Sequence, residues 1–216
     1  YSMNPQKSQE NRIALDYSPH LHYDIWEVNH MDDRNISQTD PDFYRYIQER
    51  KWAIDQNTDR KMFLFRIAKR STENQDFAAK IGGILIYNQV IEQFLADIIE
   101  MSIYYLKAAA LPVQIHLEVE LEKATFGKMI EFFRQYALVA PNQEKILSHL
   151  RKFNMKRNQI VHDLFGVEDL AQLYRELTAY SELADQIILL LDEYDNQICN
   201  QFCQLEQQLD FHKFFE

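Results

Sequence analysis

The chain has 216 residues, a formal net charge of −10 and a hydrophobic fraction of 46%, and a chain of this length can bury a core without disulfides or metal ions. Glycine and proline are scarce, at 4 and 5 residues, so long helices are favoured over turn-rich β architecture. The acidic balance argues against a protein that coats long nucleic acids with basic surface, although a small basic pocket for one or two phosphates is compatible with it.

The two cysteines, Cys199 and Cys203, are too few for a disulfide scaffold and indicate a reducing compartment. Uncharged apolar runs of about 20 residues do not occur, so we expect no membrane span and a cytoplasmic location. Histidines and aspartates crowd positions 20–33, but their spacing matches no metal site that we can assign. We therefore predict neither a metal ion nor a cofactor.

Residues 1–38 are polar and irregular, and we interpret them as an N-terminal arm that precedes a helical domain at 39–216. Helical patterning begins near Asp40, a good cap residue, with Pro41 in the first turn. This pattern predicts one helix from that point and a second, short helix over 60–69.

A long helix is predicted over about 76–109, where apolar residues recur with the 3.6-residue period. The next stretch, "VQIHLEVELE" at 113–122, alternates apolar and polar residues, which is typical of an extended, half-buried segment. Because one strand alone is unstable, this segment either pairs elsewhere in the chain or begins a helix, and the sequence leaves both open.

Three more helices follow: one that ends near Ala137, one from near Pro141 to Phe165, and a last one over about 168–209. The last carries apolar residues every seven positions, which suits either a coiled-coil-like contact with another chain or ordinary packing within its own chain. The whole pattern predicts an all-α fold with an N-terminal extension. The heptad residues are Leu170, Leu177, Ala184, Leu191, Ile198 and Leu205.

Arg157 occupies an unexpected place in the stretch "HLRKFNMKRNQIVHDLFG" at 149–166. At about 100° per residue it lies at the centre of the apolar stripe of this helix. A guanidinium cannot lose its charge, and burying it unpaired is costly. It therefore snorkels to solvent, pairs with a carboxylate from a neighbouring helix, lies on a bent helix, or points into a cleft. The stripe consists of Ile146, Leu150, Phe153, Ile160, Val161 and Leu164.

An arginine close to a histidine suits cleavage of a phosphodiester. His162 can accept or donate a proton near neutral pH, and Arg157 can neutralise the charge that builds on a pentavalent phosphorus. Asn158, one turn before His162, could orient the imidazole or bind a phosphate. RNA supplies its own nucleophile, the 2′-hydroxyl, so this chemistry needs no metal ion.

The hexapeptide "RNQIVH" at 157–162 resembles the Arg-x4-His signature of the HEPN superfamily, in which asparagine frequently follows the arginine, as Asn158 does here. The segment "ATFGKMIEFF" at 124–133 also resembles a helix start seen in several members. The resemblance covers about 76–209. It implies an up-and-down bundle of long antiparallel helices that dimerises, so that two Arg-x4-His helices face each other across one cleft.

Many members of this superfamily are metal-independent ribonucleases of defence systems. The resemblance therefore implies an endoribonuclease acting on RNA as a homodimer, with an antitoxin or another defence protein as a possible partner. Position 164 is leucine, whereas toxins adenylylated by a partner nucleotidyltransferase have a tyrosine there, so that regulation is not implied. The alternative is a catalytically inactive helical module that binds a nucleotide or a protein partner.

Further residues are candidates for supporting this site. In the superfamily a polar residue on the preceding long helix often does so, and Asn88 lies in the apolar stripe of that helix, with Glu92 one turn later and able to pair with Arg157. The alternatives are a hydrogen-bonded core amide and a solvated acid. A local basic patch, which is either an RNA-backbone contact or a solvated helix face, contains Arg151, Lys152 and Lys156.

Overall fold

The computed structural model describes residues 41–110, 113–163 and 169–208, with side chains described at 57–110, 113–160, 169–205 and 207. These residues form five α-helices and no β-strand, which confirms the predicted all-α class. The predicted arm at 1–38 lies outside the described residues. The helices are α1 (Pro41–Glu73), α2 (Phe77–Ala109), α3 (Phe126–Tyr136), α4 (Gln143–Asp163) and α5 (Leu170–Gln208).

Local capping explains where two of these helices begin. The Asp76 carboxylate accepts a hydrogen bond of 3.0 Å from the amide of Ala78 at the start of α2, and the Thr125 hydroxyl accepts one of 3.3 Å from Lys128 at the start of α3. The prediction of two helices before residue 73 is wrong, because α1 is continuous. No glycine or proline interrupts it after Pro41, so nothing in its sequence breaks the helix.

Helix α2 is the centre of the fold, since it packs against α1, α3 and α5. Its side chains at Ile91, Phe94, Leu95 and Ile98 are completely buried. The seven-residue repeat of α5 also serves this core, because its four middle members are completely buried within the same chain. Packing within the chain is thus the alternative that the structure shows for these positions, while the first member of the repeat, Leu170, is exposed.

The segment 113–121 forms neither a helix nor a β-ladder among the described residues. Burial of its side chains nevertheless alternates, as in an extended chain: Leu117, Val119 and Leu121 are half-buried against the core, whereas Glu118 and Glu120 are exposed. The alternation therefore predicted correctly that Leu117, Val119 and Leu121 face the helices, but Val113, the first apolar residue of the pattern, is exposed. The suggestion that it begins a helix is wrong, because its apolar face packs directly on the helical core.

None of the described helices combines the length and the apolar character that crossing a membrane requires. Even α2, the most buried of them, has polar and charged side chains inside the fold. Asn88 and Asp97 both lie within its buried face. These groups need partners within the protein.

A buried ionic network joins α1, α2 and α5. Lys61 is 2% exposed and donates to Asp97 at 2.7 Å and to Asp195 at 3.5 Å, while Gln93 donates to the other Asp97 oxygen at 2.9 Å. The ammonium also lies 4.0 Å from the centroid of the Phe94 ring. Because two carboxylates share one lysine in a desolvated place, burial raises the pKa of Asp195 to about 6.

The raised pKa of Asp195 predicts a pH-dependent effect of Asp195→Asn. The protonated carboxyl is favoured in the folded protein, so its contribution to stability is present below about pH 4 and is lost as the pH rises through about 6. The free energy of unfolding of the variant, relative to that of the wild type, should therefore be higher at pH 7.5 than at pH 4.5, by about 2 kcal/mol. Urea unfolding followed by circular dichroism measures this difference, with the exposed Asp59→Asn as control. An equal effect at both pH values would contradict the assignment.

Gly83 and Gly82 should respond oppositely to alanine. A Cβ at Gly83 would lie 2.8 Å from both the Ala68 carbonyl oxygen and the Thr72 methyl group, whereas a Cβ at Gly82 would meet nothing within 4 Å. Gly83→Ala should reduce the free energy of unfolding by about 1–3 kcal/mol through overpacking between α1 and α2. Gly82→Ala should leave it unchanged or raise it by up to about 1 kcal/mol through helix propensity. Urea denaturation of the two variants is the test, and equal losses would argue against this close helix crossing.

Candidate active site

Arg157 lies on the packed face of α4, but its side chain remains 34% exposed. Its Nη1 atom is 3.3 Å from Oε1 of Glu92 on α2, and its guanidinium carbon is 5.4 Å from the centroid of the Phe126 ring on α3. Phe153 and Ile160, which flank it on the same face of α4, are buried. Of the alternatives for this arginine, the structure shows an ion pair with a neighbouring helix at the rim of the core, not in a closed interior.

The Glu92 carboxylate is as accessible as its partner, with 35% of its side chain exposed. An ion pair between two partly solvated groups contributes little to folding stability, because water screens the attraction. Its main consequence is geometric: together with the Phe126 ring, it fixes the direction of the guanidinium. The one contact involves one of the two terminal nitrogens of the guanidinium, and a guanidinium has five N–H donors in all.

Asn88 lies one turn before Glu92 and is a hydrogen-bonded core amide. Its side-chain oxygen accepts a hydrogen bond of 2.5 Å from the hydroxyl of Tyr180 on α5. Burial raises the pKa of the Tyr180 hydroxyl above its ordinary value and the Glu92 charge adds to this, while Arg157 and the bond to Asn88 oppose it. Tyr180 therefore stays protonated and acts as a donor to Asn88.

Three aromatic rings form a floor beneath the ion pair, and sequence reasoning did not assign them to the site. Phe153 stacks on Tyr180 with ring centroids 4.4 Å apart, and Phe126 lies 5.6 Å from Phe153. A signal was present for Phe126, which follows the Thr125 cap in the segment that resembles a superfamily helix start. The Phe126 ring lies beside the guanidinium and is itself packed against Phe153, which stacks on Tyr180.

The remaining predicted catalytic residues belong to the same helix. Asn158 is exposed on α4, directly after Arg157. The helix continues through position 162, which lies about 140° round and about 7.5 Å along the axis from position 157 by helix geometry. The side chain of His162 lies outside the described part of the structure, as does Leu164.

The basic patch does not form one surface. Lys152 and Lys156 line a groove of about 460 Å³ between α4 and α5. Arg151 is exposed. It precedes Asn158 by seven residues, so helix geometry places both side chains on the same side of α4. The three predicted RNA-binding cations thus lie on two sides of α4. The groove is completed by Met155, Gln159, Ala179, Glu182, Leu183 and Gln186.

A second groove adjoins the ion pair itself and was not predicted. Its volume is about 480 Å³, and Glu92 is one of its lining residues. One wall comes from α1 and the other from α2, at positions spaced by three and four residues, and the segment 121–124 and Met129 complete it. The α1 positions are Asn57, Arg60, Lys61 and Leu64, and the α2 positions are Gln89, Val90, Glu92, Gln93 and Ala96.

Within the ranges that the structure describes, no group of three or more histidine, cysteine, aspartate or glutamate side chains could hold a metal ion. The described side chains at the rim include one fixed cation, its carboxylate partner and the exposed carboxamide of Asn158. A fixed cation of this kind can hold an anionic oxygen.

Substitutions should separate the structural from the electrostatic part of the site. Tyr180→Phe leaves the buried Asn88 oxygen without its donor and should cost about 1–3 kcal/mol of unfolding free energy. Glu92→Gln should change it by less than about 1 kcal/mol, because both members of the ion pair are partly exposed. Urea unfolding measures both, and a larger loss for Glu92→Gln than for Tyr180→Phe would show that the ion pair is mainly structural.

The geometry of the site consists of an oriented arginine, an aromatic floor and an adjoining groove on an all-helical frame. No protein-family model, curated protein or solved structure matches this chain.

Proposed function

We propose that the protein is a HEPN-type endoribonuclease that cleaves RNA without a metal ion. The observation that carries this proposal is the position of Arg157, which is held by Glu92 and Phe126 while a third of its side chain stays accessible. The same helix continues through position 162. A cation and an imidazole on one helix can together catalyse phosphodiester cleavage by the RNA 2′-hydroxyl.

In the proposed reaction the 2′-hydroxyl oxygen attacks the adjacent phosphorus. The hydroxyl proton is taken up, the bond from phosphorus to the 5′-oxygen breaks, and that oxygen receives a proton. His162 moves the proton, Arg157 neutralises the additional negative charge on the phosphorus oxygens, and Asn158 orients the imidazole or a phosphate oxygen. The products are a 2′,3′-cyclic phosphate and a 5′-hydroxyl.

Glu92 has a defined part in this proposal as a positioning residue. Its single contact of 3.3 Å leaves other N–H groups of the guanidinium for a phosphate. A preoriented donor does not have to be reorganised as charge develops in the transition state. The carboxylate also repels a phosphate on its own side, so the phosphate should contact the N–H groups of Arg157 that face away from Glu92.

The proposal extends to the assembly and setting of the protein. We propose that the helices form a HEPN-like up-and-down bundle of long antiparallel helices and that two copies pair. A site built from two Arg-x4-His helices would explain why a single copy leaves Arg157 partly open. An antitoxin or another defence-system protein would control such a nuclease in the cytoplasm.

Cleavage of RNA should depend on both Arg157 and His162. With EDTA present, Arg157→Ala and His162→Ala should each lower the rate of RNA cleavage by about 1,000-fold or more, because each removes a group that acts on the transition state. Gel analysis of a labelled RNA gives the rates, and chemical analysis of the product ends should show the cyclic phosphate.

Two control substitutions each remove an arginine or a histidine that lies outside the proposed site. Arg134→Ala changes an exposed arginine on α3, and His149→Ala changes the other α4 histidine, whose ring nitrogen contacts the Lys145 carbonyl at 2.8 Å. Both should cleave RNA at the wild-type rate. Persistent cleavage of RNA by the His162→Ala protein would contradict the role of His162 in proton transfer.

The ion pair also favours the alternative of a catalytically inactive binding module, because Glu92 already supplies a counter-charge for Arg157. A module of this kind would not degrade any RNA, with or without EDTA, and Glu92→Gln would leave that result unchanged. Light scattering of the same samples would show whether the protein still forms a dimer.

A further inference from the structure

The groove between α1 and α2 has the composition of a recognition site for a planar polar ligand. Its volume of about 480 Å³ lies within the range of roughly 300–1,000 Å³ that is typical of small-molecule sites. Three carboxamides line it, from Asn57, Gln89 and Gln93. A carboxamide offers one acceptor and two donor hydrogens in one plane, which matches the edge of a nucleobase.

Several other lining residues fit the remaining parts of a nucleotide, and Glu92 and Glu122 add two carboxylates to the lining. Leu64, Leu121 and Met129 supply apolar surface for the faces of a base. Arg60 is exposed at the groove and can contact a phosphate. Lys61 is different, because its ammonium is buried and directed to Asp97 and Asp195, so it fixes the groove wall instead of serving as a free cation.

The position of the groove connects it with the arginine centre. Glu92 belongs to both, since it lines the groove and pairs with Arg157 at 3.3 Å. Gln89 and Gln93 lie on the same helix, α2, within one turn of it. Gln93 also donates to Asp97 at 2.9 Å, which holds its side chain in place. A nucleotide in this groove is therefore separated from the guanidinium by one side chain.

We infer that this groove is a base-recognition subsite that accepts an adenine of single-stranded RNA next to the phosphate held by Arg157. Adenine offers an adjacent amino donor and ring acceptor on two edges, each of which matches a glutamine or asparagine side chain in a bidentate pair, whereas cytosine offers this pattern on one edge and uracil on none. Unpaired RNA exposes these edges, whereas a duplex hides them. The inference rests on the proposed ribonuclease function and specifies the substrate of that site.

Two measurements on the full-length protein test the inference. In cleavage of short oligoribonucleotides, the wild type should favour strands with an adenine beside the cleaved bond, and Gln89→Ala should reduce that preference about tenfold. In equilibrium titrations of the His162→Ala protein, AMP should bind more tightly than UMP. Adding Gln89→Ala should remove that difference, while adding Arg60→Ala should weaken both nucleotides alike.

Matched controls are available on the same molecule. Gln135→Ala removes an exposed glutamine from α3, outside the groove, and Arg66→Ala removes an exposed arginine from α1 outside it. Neither should alter base preference or nucleotide affinity. An unchanged preference in Gln89→Ala, or equal binding of AMP and UMP to the starting protein, overturns the inference. If RNA is not cleaved but AMP binding depends on Gln89, the groove assignment holds and the ribonuclease proposal falls.

Discussion

The permanent charge of Arg157 is the constraint that organises this part of the molecule. A guanidinium on the apolar face of α4 cannot be neutralised by losing a proton, so it must keep a counter-charge and some contact with water. Both conditions are met at the rim of the core, where Glu92 lies 3.3 Å away and a third of the side chain remains accessible. The Phe126 ring, which lies beside the guanidinium, then limits the orientations that the Arg157 side chain can adopt. Each of these contacts comes from a different helix, so the site depends on where α2 and α3 lie relative to α4.

Lys61 and Arg157 are both cations placed among apolar side chains, but the protein compensates their charges in different ways. Lys61 is fully inside the fold and has two carboxylates, one of which, Asp195, has a pKa raised to about 6 by burial. Its interactions are satisfied by the protein, so it serves the packing of α1, α2 and α5. Arg157 has one carboxylate and an open side. An incompletely satisfied cation at an accessible place is more consistent with binding an external anion than with stabilising the fold.

The features that the sequence predicted are those set by local spacing. The beginning of α2 at its Asp76 cap and the place of Arg157 on the apolar face of α4 follow from neighbouring residues and helix periodicity. The pair with Glu92 was one of the alternatives that the sequence left open for Arg157, and the structure contains it. The contact from Tyr180 to Asn88 spans 92 residues of sequence, and that from Lys61 to Asp195 spans 134. Periodicity carries no information on such partners, which only tertiary packing brings together.

The acidic character of the whole chain bears on the kind of RNA that such a site can accept. A net charge of −10 opposes a long polyanion, but screening limits this repulsion to about 8 Å at physiological ionic strength. Attraction is then restricted to the immediate surroundings of individual accessible cations, such as Arg157 and Arg60. Affinity for such a ligand has to come from contacts within one or two nucleotides, not from extended neutralisation of the backbone. Recognition of an unpaired base in the α1–α2 groove supplies contacts of that short range. An acidic protein whose accessible cations at this site are Arg157 and Arg60 therefore suits a single-stranded segment better than a duplex, because a duplex hides the edges of its bases.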